Sequence, residues 1–455
     1  MHLAPSTAWV WLIACAVVIL FFPLAAQFGN LKGKLSSFRT WVWAIALLGI
    51  VTAGFMPFTF GTDIANFEVQ PFIFFITGTL LGVLFLGEFH RMNAQKKLKH
   101  PQRVHAERRT RYSKAVEQLA YPNPAVRASA ISTLAGLVDE WLADEQLSVE
   151  ARQKEGQVIV NALCAYVRSP FSRAFKAEAF DSDTPPANYA GDFATDLAAF
   201  RGEQDVRRSV FVEMSKRSST LAENEKGEVA VVPGAWSGFE FDFSRAVVFY
   251  PLDGLTLENA NFSAARFCNG SDFSGAAFVG TVDFSRATFG GIAGFGDATF
   301  AGEGNFSHAT FTRSANFGGA SFVQSAYFDG VKFMQNAHFS GVKFTQDTNF
   351  SGASFMGVAD FCDVSFVKSP PVFAIEDADS GEMCRARFAA LSAGSESAGQ
   401  EAHNFTMYED SQPIPLGTAI LNGVGYRIPV GAVLFDPASW DARQKEYTRM
   451  SEPAQ

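Results

Sequence analysis

The sequence predicts a multi-domain fold, in which an α-helical transmembrane anchor and an α-helical connector precede a solenoid of short extended segments. Three observations support this prediction. Three apolar stretches without a charged residue lie within the first 90 residues. Residues 102–168 then show the apolar periodicity of amphipathic helices. Finally, twenty phenylalanines run from Phe262 to Phe366 at gaps that alternate between five and six residues.

Residues 1–90 are predicted to be a three-helix membrane anchor, with the lipid bilayer as a partner. Each apolar stretch is long enough to span a bilayer. The loop 29–40 and the segment after residue 90 carry Lys and Arg, whereas the loop 61–70 carries none. The positive-inside rule then places the N-terminus outside and everything after residue 90 in the cytoplasm. The predicted spans are residues 8–28, 41–60 and 71–87.

Residues 91–232 are predicted to form a cytoplasmic helical connector. The turn 121–124, with two prolines, separates the first two helices, and the segment 223–232 is expected to be polar and mobile. These paired helices resemble HEAT-like units, which implies a binding scaffold. The predicted helices cover about 104–120, 124–143, 148–168 and 203–218.

The phenylalanine ladder excludes both a long helix and a long strand. Its span contains fifteen glycines, and each glycine costs about 1 kcal/mol relative to alanine inside a helix. In a strand, a step of five residues would turn successive rings to opposite faces. All the rings can share one core only if the chain turns between them. The ladder therefore predicts very short strands joined by tight turns.

The spacing also gives the period of the ladder, because two successive gaps add up to eleven residues. The position two before each ring is small in all twenty units, usually Ala, which indicates a second, shallower inward position. The structural ladder that we predict to lie in the core is Phe262, Phe273, Phe284, Phe295, Phe306, Phe317, Phe328, Phe339, Phe350 and Phe361.

A small residue, a polar residue, a large apolar residue and two variable residues follow one another in units such as Ala260-Asn261-Phe262-Ser263-Ala264. This pattern resembles that of pentapeptide-repeat proteins, here in a Phe-centred variant with an 11-residue period. The resemblance implies a right-handed quadrilateral β-helix over residues 233–370, with four units to a coil. The whole arrangement is similar to uncharacterised membrane-anchored pentapeptide-repeat proteins of bacteria, which implies a multi-pass protein of the inner (plasma) membrane.

Residues 371–455 are predicted to form a C-terminal tail, partly disordered. Residues 418–435 are expected to form a hairpin and residues 437–450 a short helix. Two interpretations of the tail remain open at this stage. It either stays solvated and acidic, or folds back as a cap over the last coil.

The sequence contains no recognisable catalytic, cofactor-binding or metal-binding pattern. Its five cysteines form no CxxC pair, and its seven histidines form no metal motif. A net charge of −9 argues against nucleic acid as a partner. We therefore expect a non-enzymatic scaffold that binds an unknown protein, with a homo-oligomer as a further possibility. The alternatives are a DNA mimic that binds DNA gyrase and an accessory or sensor subunit of an envelope complex.

With two eleven-residue periods to a coil, two polar columns should line the outside of the solenoid. We expect their side chains either to cap turns or to present a regular surface to a partner. One column is Asn261, Asp283, Asn305, Tyr327 and Asn349, and the other is Asp272, Gly294, Asn316, His338 and Asp360.

Overall fold

The computed structural model describes residues 82, 85, 87–89, 102–223, 229–378, 381–390, 405–407, 414–443 and 446–455. The chain divides into two compact units, Met1–Arg109 and Thr110–Gln455. In the first unit, the described residues 102–109 are helical. The fold described below is that of the second unit.

The predicted transmembrane anchor and inner-membrane location need correction. Among the residues that the structure describes, no helix is both long enough and apolar enough to cross a bilayer. The fold class that is supported is a β-solenoid with a helical region. The predicted spans 8–28 and 41–60 lie outside the described residues, and only residues 82, 85 and 87 of the third span are described.

Three helices open the second unit after the helical residues 110–118: α1 (Pro124–Leu142), α2 (Val149–Arg168) and α3 (Phe193–Ser215). Asn123, Ser148 and Asp192 cap their N-termini, each accepting a backbone hydrogen bond in the first turn. A 3-10 helix, Ser172–Phe180, joins α2 to α3. After α3, the antiparallel strands Thr220–Glu223 and Val229–Val232 pair, where a mobile segment was expected.

The chain then winds into a solenoid with four parallel sheets, which we call faces 1 to 4. Face 1 contains Phe241–Asp242, Ala260–Asn261, Val282–Asp283, Gly304–Asn305, Ala326–Tyr327 and Thr348–Asn349. Face 2 contains Val247–Val248, Arg266–Phe267, Thr288–Phe289, Thr310–Phe311, Lys332–Phe333, Ser354–Phe355, Arg387–Ala389 and Val433–Phe435.

Face 3 contains Ser271–Asp272, Ala293–Gly294, Ala315–Asn316, Ala337–His338, Ala359–Asp360 and Phe405–Thr406. Face 4 contains Thr256–Glu258, Ala277–Val279, Thr299–Phe300, Ser321–Phe322, Lys343–Phe344 and Ser365–Phe366. We number the coils 1 to 6 from their face 1 strands, so that coil 1 begins at Phe241 and coil 6 at Thr348.

From coil 2 to coil 6, successive coils pair in register and their equivalent positions lie two eleven-residue periods apart, which confirms the predicted coil length. Asp283 pairs with Asn305 on face 1, and Phe289 pairs with Phe311 on face 2. Both predicted polar columns are confirmed by the same register, for example where Asn316 pairs with His338. The predicted four-sided solenoid is therefore present, built from strands that are mostly two residues long.

The core of the solenoid consists of phenylalanine rings. All ten predicted ladder residues are at most 1% exposed. Rings on the same face stack, as Phe295 does on Phe317 with centroids 4.9 Å apart, whereas rings of the opposite faces 1 and 3 meet edge-on, as Phe306 and Phe317 do at 5.5 Å. Strands in a sheet lie about 4.8 Å apart, and offset-stacked rings prefer a similar distance. One spacing therefore suits both the backbone hydrogen bonds and the ring stack.

The helical region closes the N-terminal end of the solenoid. The Phe211 ring of α3 lies 4.6 Å from that of Phe243 in coil 1. Trp236 Nε1 donates a hydrogen bond of 3.0 Å to Asp139 Oδ1 of α1. The first coil therefore packs on helices instead of exposing its rings, and the part of the predicted connector that lies in the second unit is a cap in this structure.

At the other end, the described tail residues also form a cap. Phe373, Phe388 and Phe405 extend the ring stack, and Phe388 lies 4.8 Å from Phe355. Leu416–Leu421 and Val424–Pro429 form the predicted hairpin. The short helix predicted for 437–450 is wrong, since a 3-10 turn, Pro437–Ser439, leads into a hairpin of Trp440–Asp441 with Glu446–Tyr447. The Asp441 carboxylate accepts from the Arg443 amide and bends the chain there.

Candidate interaction surface

The predicted ladder residues are structural and none of them forms a surface site. Every ring of the ladder points into the core, so a partner meets only the residues beside the rings. On each face the residue before the ring points outward, and it stacks on its equivalent in the next coil. The surface of the solenoid is therefore a set of four registered columns, one on each face.

The columns of faces 1 and 3 mainly cap turns. Asn261 Oδ1 accepts a hydrogen bond of 2.9 Å from the backbone N–H of Ser263, which follows the ring. Seven further corners repeat this bond. The next residue has a left-handed backbone, with φ of 55° at Ala264 and 70° at Gly319. The turn-capping hypothesis is confirmed, and Tyr327 and His338 are members of these columns that make no such bond in the described structure.

The columns of faces 2 and 4 have a different chemistry and contain no acidic side chain. The face 2 column is Arg266, Thr288, Thr310, Lys332, Ser354 and Arg387. The face 4 column is Thr256, Ala277, Thr299, Ser321, Lys343 and Ser365. Face 2 carries the larger positive charge, with Arg266, Lys332 and Arg387 all exposed.

The 3-10 helix lies beside the N-terminal part of face 2, and its Phe175 remains 60% exposed. A 3-10 helix has three residues per turn, so Phe175, Glu178 and Asp181 follow one line along its side. The Arg266 guanidinium lies 5.1 Å from the Phe175 ring centroid, and Arg313 Nη2 lies 3.6 Å from Glu178 Oε1. Asn269 donates to the Asp181 carboxylate. A segment with one aromatic and two acidic side chains is therefore seated on this part of the solenoid.

The opposite end of face 2 carries an apolar cluster. The Tyr447 hydroxyl lies 3.1 Å from Met356 Sδ, and the rings of Trp440 and Tyr447 are 4.9 Å apart. Trp440 is 50% exposed, and Met334, one coil before Met356, is 46% exposed. Partial burial raises the pKa of the Tyr447 phenol. We call Met334, Met356, Trp440 and Tyr447 the Met-aromatic cluster.

A buried ionic network holds the helical cap together next to coil 1. Arg207 Nε donates to Glu203 Oε1 at 2.7 Å, and Arg127 Nη2 donates to Glu203 Oε2 at 2.9 Å. Arg207 also donates to the Val167 carbonyl at 2.7 Å. Burial and the neighbouring Glu203 carboxylate raise the pKa of Tyr166 to about 12. In the sequence Glu203 and Arg207 lie four positions apart, but nothing local pairs them with Arg127 or with the Val167 carbonyl.

A cleft of about 560 Å³ lies beside face 1 at coils 1 to 3. Of its three acidic lining residues, Asp242 and Asp283 already accept hydrogen bonds from turn amides, and Asp242 also pairs with Arg168 of α2. Burial works in the opposite direction, but bonds from Ser244 and Arg168 lower the pKa of Asp242. Within the described ranges, no three His, Cys, Asp or Glu side chains lie together so as to hold a metal ion.

Comparison with known proteins identifies the repeat region. Residues 284–332 and 328–369 match the family model described as "Pentapeptide repeats (9 copies)". The matched residues run from the ring of coil 3 on face 1 to the end of coil 6, which is the most regular part of the solenoid. No curated protein and no solved structure matches the chain significantly.

Proposed function

From the premise that this chain is a pentapeptide-repeat protein, we propose that it is a non-enzymatic scaffold that binds a protein partner through the sides of its solenoid. The observation that carries this proposal is that both ends of the solenoid pack against caps, which leaves the four flat sides for contact. The registered columns present side chains at fixed intervals of about 4.8 Å on a stiff frame.

Rigidity favours such a role. A partner that binds a preformed surface orders few side chains of the scaffold, so less of the interaction energy is lost to conformational entropy. Pentapeptide-repeat proteins are generally structural or interaction proteins, which agrees with this proposal. Gyrase mimicry is not favoured by the structure, because exposed Lys and Arg interrupt faces 2 and 4.

Coil 5 offers a matched test of the proposal. Its four outward column residues are Tyr327, Lys332, His338 and Lys343, one on each face. A photoreactive side chain is placed at each position in turn in the full-length protein, which is then irradiated in its native cells. We expect one protein to crosslink from one face or from two adjacent faces. Crosslinking of no protein, or of the same mixture from all four positions, would contradict the proposal.

A further inference from the structure

Face 2 already binds one segment of its own chain through a recognisable chemistry. The 3-10 helix uses Ala174, Ala177 and Phe180 to pack into the protein, and turns Phe175 and Glu178 toward the solenoid. Two cations of the solenoid contact these side chains, Arg266 that of Phe175 and Arg313 that of Glu178. Arg266 lies in coil 2, and Arg313 follows Thr310 in coil 4, so the cations are two coils apart along the solenoid.

The C-terminal half of face 2 also carries two cations, but here both lie in the outward column, whereas Arg313 lies between the face 2 and face 3 strands of its coil. Lys332 pairs with Ser354, which pairs with Arg387, so these two cations are also two coils apart, or about 10 Å. Both side chains are exposed, and neither has a carboxylate partner among the residues that the structure describes. No acidic residue occurs in the face 2 column itself.

Beside these cations lies the Met-aromatic cluster. Methionine, tryptophan and tyrosine are enriched in protein-recognition surfaces, because they bury much apolar area and methionine adapts its shape. Trp440 and Met334 expose about half of their surface, and Tyr447 joins Trp440 to Met356. The combination of two exposed cations and this cluster suits an acidic segment with an aromatic side chain, as on the N-terminal half.

We propose that the C-terminal half of face 2, defined by Lys332, Arg387 and the Met-aromatic cluster, binds a short acidic segment of a partner protein. This inference rests on the proposed scaffold function and names the partner's chemistry. In a polyproline II conformation, with three residues per turn and a rise of about 3.1 Å per residue, residues i and i+3 lie on one side about 9 Å apart, so two acidic residues at that spacing reach Lys332 and Arg387. An aromatic side chain next to them packs on Trp440 and Met334. Duplex DNA offers phosphates but no group for the apolar cluster, so a peptide is favoured.

The test uses the full-length protein and a synthetic peptide of sequence Gly-Phe-Glu-Ser-Gly-Glu-Gly, with binding measured by titration calorimetry. We expect Lys332→Glu to weaken binding at least tenfold. Lys343→Glu changes an exposed lysine of face 4 in the same coil and should alter binding less than twofold. Both positions lie outside the ring core, and matching thermal melts will show that both variants fold. Trp440→Ala should weaken the binding of the peptide that contains Phe. It should not change the binding of a peptide in which Ala replaces that Phe.

The inference would be overturned if the two lysine variants lost equal affinity for the peptide. It would also be overturned if a peptide with Gln in place of Glu, or a DNA duplex, bound as tightly as the acidic peptide. Failure of the peptide to bind would also overturn it. If the photocrosslinking at coil 5 then still captures a partner from another face, the scaffold function stands without this site. If no face captures a partner, the scaffold function fails as well.

Discussion

Replacing Phe317 with alanine should lower the free energy of unfolding of the solenoid by about 3–5 kcal/mol. The ring is fully buried, stacks on Phe295 at 4.9 Å and on Phe339 at 5.0 Å, and meets Phe306 and Phe328 edge-on at 5.5 Å. Aromatic pairs contribute about 0.5–1.5 kcal/mol each beyond simple burial. The surrounding strands are fixed in register by hydrogen bonds and cannot collapse into the cavity. We therefore expect a loss in the upper half of the range.

Phe366→Ala provides the matched control. This ring lies on the last strand of face 4, is 7% exposed, and has one stacked neighbour, Phe344, at 5.0 Å. With fewer ring contacts to lose, it should cost about 1–2 kcal/mol less than the central substitution.

Hydrogen exchange of the full-length protein, resolved by peptide mass spectrometry, measures the loss of stability in the coil that carries each substitution, Phe317→Ala or Phe366→Ala. A factor of ten in exchange corresponds to about 1.4 kcal/mol. A loss of about 3–5 kcal/mol should thus speed the exchange of the coil 4 amides roughly a hundredfold to several thousandfold. The reasoning is refuted if Phe317→Ala speeds them less than tenfold, or if both substitutions have the same effect.

Three further predictions concern the cap and the turns. Arg207→Met leaves the buried Glu203 carboxylate with fewer partners and should cost about 3–5 kcal/mol in a denaturant titration; a loss below about 1 kcal/mol would show that the network is dispensable. The pKa of Tyr166 is about 12 in the folded protein, against an ordinary 10. The protonated Tyr166 phenol therefore contributes its full stability to the fold below pH 10, and this contribution decreases as the pH rises toward 12. The drop in melting temperature at alkaline pH should thus be smaller in Tyr166→Phe. A side chain on Gly302 would clash with a carbonyl oxygen of the preceding coil, so Gly302→Ala should destabilise the protein. Gly136 lies in open space within α1, so Gly136→Ala should stabilise the protein by about 1 kcal/mol. Equal melting temperatures of the two variants would contradict this prediction.

The solenoid could be predicted in detail because one residue type repeats at every inward position. The eleven-residue period, together with the four units to a coil that the family resemblance implies, sets the coil length and the outward columns, as Asn316 and His338 show by pairing one coil apart. Every unit depends on contacts with its neighbours in sequence, and such local order is visible as a repeat.

The caps could not be predicted in this way, because their contacts join residues that are far apart and unlike. Trp236 donates to Asp139 across 97 positions, and nothing in the local sequence pairs them. In the tail, the hairpin Ala374–Glu376 with Met383–Arg385 separates Phe373 from Phe388. The gaps of five and six therefore stop although the ring stack continues.

The candidate interaction surface lies between these two cases. The cations of face 2 follow from the period, since Lys332 directly precedes a ring of the ladder, as the residues of the predicted columns do. The Met-aromatic cluster does not, because it brings Met356 and Tyr447 together across 91 positions. The 3-10 helix was missed for a similar reason. Its two faces each repeat every three residues over only nine residues, which is too short for a periodic signal to stand out.

The equivalence of the coils has a consequence for how this molecule can change. Each full coil supplies the same rings to the same four faces. If the stretch of gene that encodes one coil is duplicated or lost, equivalent coils therefore still stack on each other, and both caps keep their contacts with the end coils. The spacing between the two ends is thus adjustable in steps of about 4.8 Å. The number of coils encoded in the gene therefore sets the length of the solenoid.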